Sequence, residues 1–305
     1  MREKLLELCS RYAIRLAEHV RLSERTTFRI GGDADFWADV NNVSGLSALI
    51  RFCREEQYPY FLMGRGSNIL ASDDGFRGLI IHLDGDFSQI ELMLDADSMK
   101  IGAGVTLIKA ANTAKEFSLT GMEGLSGIPG TVGGALFMNA GAYGYEMSQI
   151  VTSCEYMDES GWVHTLKADD IELSYRHSFF TEHPGIVLSV TVLLTPGNQN
   201  EINARMQEFL NKRNEKQPLN LPSAGSTFKR PEGSYASMLI DQCGLKGLTV
   251  GGAQVSEKHA GFVVNTGHAT CADVLELCAQ VRKKVKAQTG YELELEPVLL
   301  GTEGM

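Results

Sequence analysis

Apolar residues at Leu5, Leu8, Tyr12, Leu16 and Val20 recur at helical spacing and predict one amphipathic helix over residues 1–20. A strand is expected over 36–40. A helix should follow over 44–57, opened by Ser44 and striped by Leu46, Leu49, Ile50 and Cys53. Strands over 60–63 and 79–83 flank a glycine turn, so this opening reads as a βαβ-like unit. The stretch 89–105 alternates like a strand, 107–117 reads as a helix, and strands are expected near 150–158, 162–167 and 186–194. Residues 196–200, Pro-Gly-Asn-Gln-Asn, form the best linker candidate. Beyond it lie expected helices over 201–214, 235–243 and 271–289 and strands near 252–255, 262–265 and 292–300. The pentapeptide Thr-Val-Gly-Gly-Ala occurs at 131–135 and at 249–253. Its flanks do not repeat, so it reads as coincidence rather than duplication.

Composition narrows the functional classes. The chain has 305 residues, enough for one large domain or two to three smaller ones. Twenty-eight Lys and Arg against 38 Asp and Glu give a net charge of −10, which disfavours nucleic acid or an anionic membrane surface as partner. No apolar stretch is long enough to span a membrane, and the charged N-terminus does not read as a signal peptide. The six cysteines show neither C-x-x-C nor zinc-ligand spacing, so reduced thiols in a cytoplasmic protein without a metal are expected.

Five segments could carry chemistry. Met63-Gly64-Arg65-Gly66-Ser67-Asn68-Ile69-Leu70 follows an apolar strand and offers backbone N–H groups, a cation and polar side chains, which suits either a diphosphate or a tight turn. It is neither a P-loop nor a G-x-G-x-x-G fingerprint. Residues 121–144 contain eight glycines in 24 positions with almost no charge, yet keep Ile, Leu, Val and Phe. That composition fits ordered backbone against a large, flat ligand with a phosphate tail better than a disordered linker. Arg176, in Ser174-Tyr175-Arg176-His177, suits a planar carboxylate, while His177 reads as a packed or exposed side chain. Ser226 lies near Lys229 and Arg230 but in no nucleophile elbow, so a proton donor, a phosphate ligand or a turn serine all fit. Glu292, Glu294 and Glu296 would share one face of a terminal strand, and one of them turned into a cleft beside an Arg would be a candidate acid.

These motifs, in order, resemble those of the UDP-N-acetylenolpyruvoylglucosamine reductase family, from Thr27-Phe28-Arg29-Ile30-Gly31-Gly32 to Glu294-Leu295-Glu296. The resemblance implies an α+β protein with a two-subdomain FAD-binding region of the vanillyl-alcohol-oxidase type (1–84 and 85–197) and a C-terminal α/β substrate domain (198–305). It also implies non-covalent FAD held by Gly64, Arg65, Gly66, Ser67 and Asn68, by Gly127, Ile128, Pro129, Gly130, Thr131, Gly133, Gly134 and Ala135, and by Asn139 and Gly141. NADPH would be the hydride donor and UDP-N-acetylglucosamine enolpyruvate the acceptor in peptidoglycan synthesis, with no obligate protein partner. The family's catalytic positions match Arg176, Ser226 and Glu296. Arg176 and a protonated Glu296 would stabilise charge at C2 and its carboxylate, and Ser226 would protonate C2. Tyr175, Arg213, Lys216 and Lys229 match substrate-binding positions. No inserted tyrosine loop is present, so the chain resembles the shorter of the family's two types. One departure stands at Glu296-Pro297-Val298, where the family usually reads Glu-Val-Arg; proline removes an N–H and makes Glu294 a second choice. The main alternative is a flavin-dependent oxidase of the same superfold. A non-catalytic UDP-sugar sensor and a flavin-free Rossmann dehydrogenase fit the motifs less well.

Overall fold

A computed structural model describes residues 1–93 and 97–302. In chain order the first elements are α1 (Arg2–Arg11), β1 (Arg15–Arg21), β2 (Asp33–Val40), α2 (Val43–Glu55), β3 (Tyr60–Leu62), β4 (Ile69–Ala71) and β5 (Phe76–Leu83). Then come β6 (Ile90–Leu92), β7 (Ser98–Gly102), α3 (Leu107–Glu116), β8 (Leu119–Thr120), α4 (Val132–Phe137), β9 (Gly141–Ala142) and β10 (Tyr145–Glu146). They are followed by β11 (Val151–Asp158), β12 (Val163–Lys167), β13 (Gly185–Leu193), β14 (Thr195–Pro196) and α5 (Gln199–Lys216). The remainder is α6 (Ala236–Gln242), β15 (Thr249–Val250), β16 (Ala253–Val255), β17 (Val263–Asn265), α7 (Cys271–Thr289) and β18 (Val298–Leu300). The class is α+β, as expected.

The chain folds as two compact units. The first holds residues 1–18, 36–64 and 78–212. Its core joins α1, α2 and α3 to an antiparallel sheet in the order β12-β11-β13-β7-β6. β13 is central in that sheet, and Ile186 through Val190 are all buried, which explains why it reads as an apolar run rather than an alternation. α2 is started by Asn42, whose Oδ1 accepts the Gly45 N–H at 2.8 Å, and Leu46, Leu49, Ile50 and Cys53 fill its inner face. The 195–197 segment is anchored here: β14 pairs with β8, the Gly197 N–H donates to the Ser118 carbonyl, and Asn198 Oδ1 caps the start of α5.

The second unit holds 19–35, 65–77 and the chain from 213 onward. Its core packs Phe28, Ile30 and Leu70 with α6, α7 and the hairpin strands β15-β16-β17. α7 starts on a reciprocal cap between Thr270 and Asp273, and it buries Val274, Leu277, Cys278, Val281 and Val285 on one face. Each such side chain contributes about 1.5–3 kcal/mol of transfer free energy. β18 lies parallel to β4, Val298 to Leu300 opposite Ile69 to Ala71.

Several expectations need correction. The first helix stops at Arg11, with Ala13 at φ +54° and the Ile14 N–H returning to the Cys9 carbonyl. Residues 15–21 then form a strand whose alternate positions Leu16, Glu18 and Val20 are the more buried. The stretch 89–105 resolves into β6 and β7, with residues 94–96 outside the described residues. The terminal strand shrinks to 298–300, because Pro297 cannot donate to a ladder and 292–296 pairs through the isolated Phe228–Leu295 bridge rather than a continuous ladder. The repeated pentapeptide is a capped helix start at Thr131 and a hairpin at Thr249, which supports coincidence. All six thiols are free. Burial pushes Cys53, Cys154, Cys271 and Cys278 up to about 12 and Cys9 up to about 11, so these five are inert at neutral pH. Among the described residues no helix is long and apolar enough to cross a membrane, and no group of three potential metal ligands occurs.

Candidate active site

The loop Gly64 to Asn68 leaves β3 and enters β4. Among the described residues, none of its five consecutive backbone N–H groups donates a hydrogen bond within the chain. The loop is fixed through its carbonyls instead: Gly66 accepts from the Thr27 N–H at 3.1 Å and Asn68 from the Val298 N–H at 2.9 Å. Gly66 sits at φ +59°, and a Cβ there would lie 2.4 Å from the Arg25 carbonyl oxygen. Arg65 is exposed, while Ser67 and Asn68 are half-buried. A row of undonated N–H groups beside a cation is the cradle an FAD diphosphate requires, so the residues present fit that group.

The second glycine segment meets this loop at its first residue. A Cβ on Gly64 would fall 2.5 Å from Thr131 Oγ1 and 3.1 Å from its Cγ2. Thr131 in turn caps α4, its Oγ1 accepting the Gly134 N–H at 3.4 Å. Gly130, Val132 and Gly133 are bonded to Leu107, Val105 and Ala103. Ile128, Pro129 and Gly134 keep solvent-facing surface, an apolar edge with one side-chain-free position. Gly64→Ala is therefore expected to fold, with FAD retained on purification falling by tenfold or more, because even about 1.4 kcal/mol of displacement at a phosphate contact gives that factor. Flavin absorbance per protein measures it; full retention would separate the two glycine segments functionally.

Farther along, the chain turns sharply at Arg176. Ser174 and His177 exchange both backbone hydrogen bonds at 3.2 Å, leaving Tyr175 and Arg176 at the tip. Arg176 is half-buried with φ +55°, and its guanidinium carbon lies 5.1 Å from the Tyr175 ring centroid. A non-glycine residue in that region costs on the order of 1–2 kcal/mol. Asn139, only 2% exposed, commits its side chain internally: Nδ2 donates to Glu146 Oε2 and to the Ser174 carbonyl, both at 3.0 Å, and Oδ1 accepts the Ser148 N–H. Gly141 lies in β9, paired to Glu146. Phe209 of α5 stacks on Tyr143 at 4.8 Å and meets Tyr145 edge-on, holding α5 to the glycine segment.

The second unit brings Ser226 and Glu296 together. Thr227, adjacent to Ser226, is buried; its N–H donates to the Gly261 carbonyl, its Oγ1 accepts from the Val263 N–H, and its carbonyl accepts from the Glu296 N–H at 3.0 Å. Ser226 itself is exposed. Glu296 is half-buried, with its carbonyl bonded by Asn68 Nδ2 at 3.2 Å. Glu292 and Glu294 are exposed and engaged with Lys286 and Lys229. Pro297 thus breaks the expected strand while Glu296 keeps a distinct, sheltered position. Lys229 approaches Glu294 at 3.4 Å, so any anion binding there competes with that pair. Arg213 is half-buried and Lys216 exposed, both in the last turn of α5, where positive charge also suits the helix dipole. Sequence reasoning missed Thr227, since a buried hydroxyl that organises a turn leaves no periodic signal.

Known proteins match this chain over most of its length. Residues 217–300 match the family model described as UDP-N-acetylenolpyruvoylglucosamine reductase, C-terminal domain, and residues 35–167 match an FAD binding domain. A UDP-N-acetylenolpyruvoylglucosamine reductase from Caldanaerobacter subterraneus subsp. tengcongensis is 44% identical over 98% of this chain and 97% of its own. One from Agathobacter rectalis is 46% identical over 92% of both. The crystal structure of UDP-N-acetylenolpyruvylglucosamine reductase from Thermus caldophilus superposes with a TM-score of 0.81 at 35% identity, covering 94% of this chain and 99% of that one.

Proposed function

The chain belongs to the UDP-N-acetylenolpyruvoylglucosamine reductase family, and from that premise we propose that it reduces the enolpyruvyl group of UDP-N-acetylglucosamine enolpyruvate to UDP-N-acetylmuramate in peptidoglycan precursor synthesis. NADPH is the electron source and the enzyme works in the cytoplasm. The observation that carries the reading is the row of N–H groups from Gly64 to Asn68, undonated among the described residues, with Gly64 packed against Thr131 of the second glycine segment. In this division residues 1–84 and 85–197 serve the flavin and 198–305 the sugar nucleotide, a reading supported by family matches over 35–167 and 217–300.

Bound FAD supplies a two-electron carrier that accepts hydride from one molecule and delivers it to another. The enolpyruvyl double bond gains hydride at C3 and a proton at C2, and the residues of this chain manage the charge and proton at C2. The guanidinium of Arg176 binds the substrate carboxylate and spreads the developing negative charge. Glu296 is assigned its protonated form, since a carboxylate beside that charge would oppose it. Ser226 delivers its proton to C2; a hydroxyl is a weak acid, but a carbanionic carbon is a stronger base. Tyr175, Arg213, Lys216 and Lys229 are assigned to the substrate's carboxylate and pyrophosphate, and Gly127 to Ala135 with Asn139 and Gly141 to the flavin side.

The test is anaerobic. The purified yellow protein should bleach with one equivalent of NADPH and recover on addition of the enolpyruvyl sugar nucleotide. Bleaching that reverses only in air would favour the flavin oxidase instead. A colourless protein that FAD does not restore would sink both readings.

A further inference from the structure

The turn that presents Arg176 is anchored on both sides to the C-terminal end of one short helix and the residues just after it. On one flank the Ser174 carbonyl accepts from Asn139 Nδ2 at 3.0 Å. On the other, the Ser178 Oγ donates to the Phe137 carbonyl at 2.8 Å, and Ser178 is 0% exposed. Phe137 is the last residue of α4 and Asn139 follows two positions later, while the first turn of α4 is capped by Thr131, the residue against which Gly64 packs. α4 spans six residues, so about 9 Å of helix separates the glycine cradle from the anchors of the turn. The anchoring side chains of Ser178 and Asn139 are buried, and both hold a residue whose backbone is in the left-handed region. Such a conformation persists only where its surroundings over-determine it.

We infer that Ser178 and Asn139 are positioning residues for Arg176: with α4 as spacer, they fix the guanidinium relative to the flavin-side loops, so that it meets the substrate carboxylate in one geometry. The inference rests on the proposed function above and adds to Asn139's place on the flavin side a role through Arg176. Ser178 touches neither substrate nor cofactor in this account. A misplacement of an angstrom at a charged partner is enough to slow a reaction substantially.

Ser178→Ala is the test. Flavin content and bleaching by NADPH should match wild type within about twofold, whereas single-turnover reoxidation by the enolpyruvyl sugar nucleotide should slow on the order of tenfold, chiefly in rate rather than in substrate half-saturation. In the FAD-free protein, amide exchange at Ser174 and His177 should quicken by a similar factor, on the order of tenfold. The decisive readout is a double-mutant cycle. If Ser178 acts through Arg176, its effect disappears in the Arg176→Ala background; an undiminished effect there overturns the inference. Reoxidation of Ser178→Ala at the wild-type rate overturns it as well. Ser178→Cys, which exchanges the oxygen for sulfur and weakens the donor, is read the same way should the alanine variant not fold. Failure of the wild type itself to be reoxidised by the sugar nucleotide would instead strike the proposed function.

Discussion

Ser226→Ala is expected to leave flavin reduction by NADPH within about twofold of wild type and to slow reoxidation by the enolpyruvyl substrate by about 10²–10⁴-fold, the usual worth of a positioned proton donor. The asymmetry follows from where the hydroxyl sits. Ser226 is exposed, so its loss empties no core space, and the neighbouring Thr227 keeps all three of its bonds, to Gly261, Val263 and Glu296. Folding and the position of Glu296 should therefore survive the change. Anaerobic stopped-flow absorbance separates the two half-reactions. Equal losses in both would mean a damaged fold, and no loss in the second would assign the C2 proton to another group.

The largest effect on stability is expected at Arg205. Glu123 has no exposed side-chain surface and receives Thr120 Oγ1 at 2.5 Å, the Gly121 N–H at 2.8 Å and Arg205 Nη2 at 2.8 Å. Burial pushes its carboxyl up, but the bonds from Thr120, Gly121 and Arg205 outweigh that and hold it below the usual carboxylate range. Its stabilisation is thus fully present above the unfolded value near 4.5 and lost as pH falls through the lower folded value. Arg205→Ala strands the buried charge, which costs about 3–5 kcal/mol. At roughly 2–4 °C per kcal/mol the melting temperature at pH 7 should drop by about 10 °C. Glu123→Gln on top of Arg205→Ala should recover part of this. A drop under about 2 °C by thermal denaturation would show that solvent replaces Arg205 freely.

The elements the sequence made plain are those whose burial follows one period. α7 and α2 keep their stripes because each packs a single face, and β13 shows as an apolar run because both its faces are covered. The misreadings have local causes. Leu16 and Val20 fit a helix as well as they fit the alternate positions of β1, and the break falls at Ala13, a residue without turn character. α4 was hidden by Gly133 and Gly134, poor helix formers. Gly133 is nonetheless required there, since a Cβ would lie 2.8 Å from Ala103 Cβ. Motifs put the glycine loops, Arg176, Ser226 and Glu296 forward as candidates. Their supports did not show as such, because Asn139, Ser178 and Thr227 act through distant backbone that no spacing along the chain reveals.

Asn68 is joined to the backbone at Glu296 and Val298, and strand 69–71 lies beside 298–300, so the glycine loop is completed by residues 228 positions downstream. A ribosome adding 5–20 residues per second needs roughly 10–50 s to cover that interval. For that time the loop has emerged without the partners that shape it, and its five N–H groups face water. On the proposed role of this loop, flavin capture waits until residues 296–300 have been made, so cofactor scarcity acts on chains that have already passed that point.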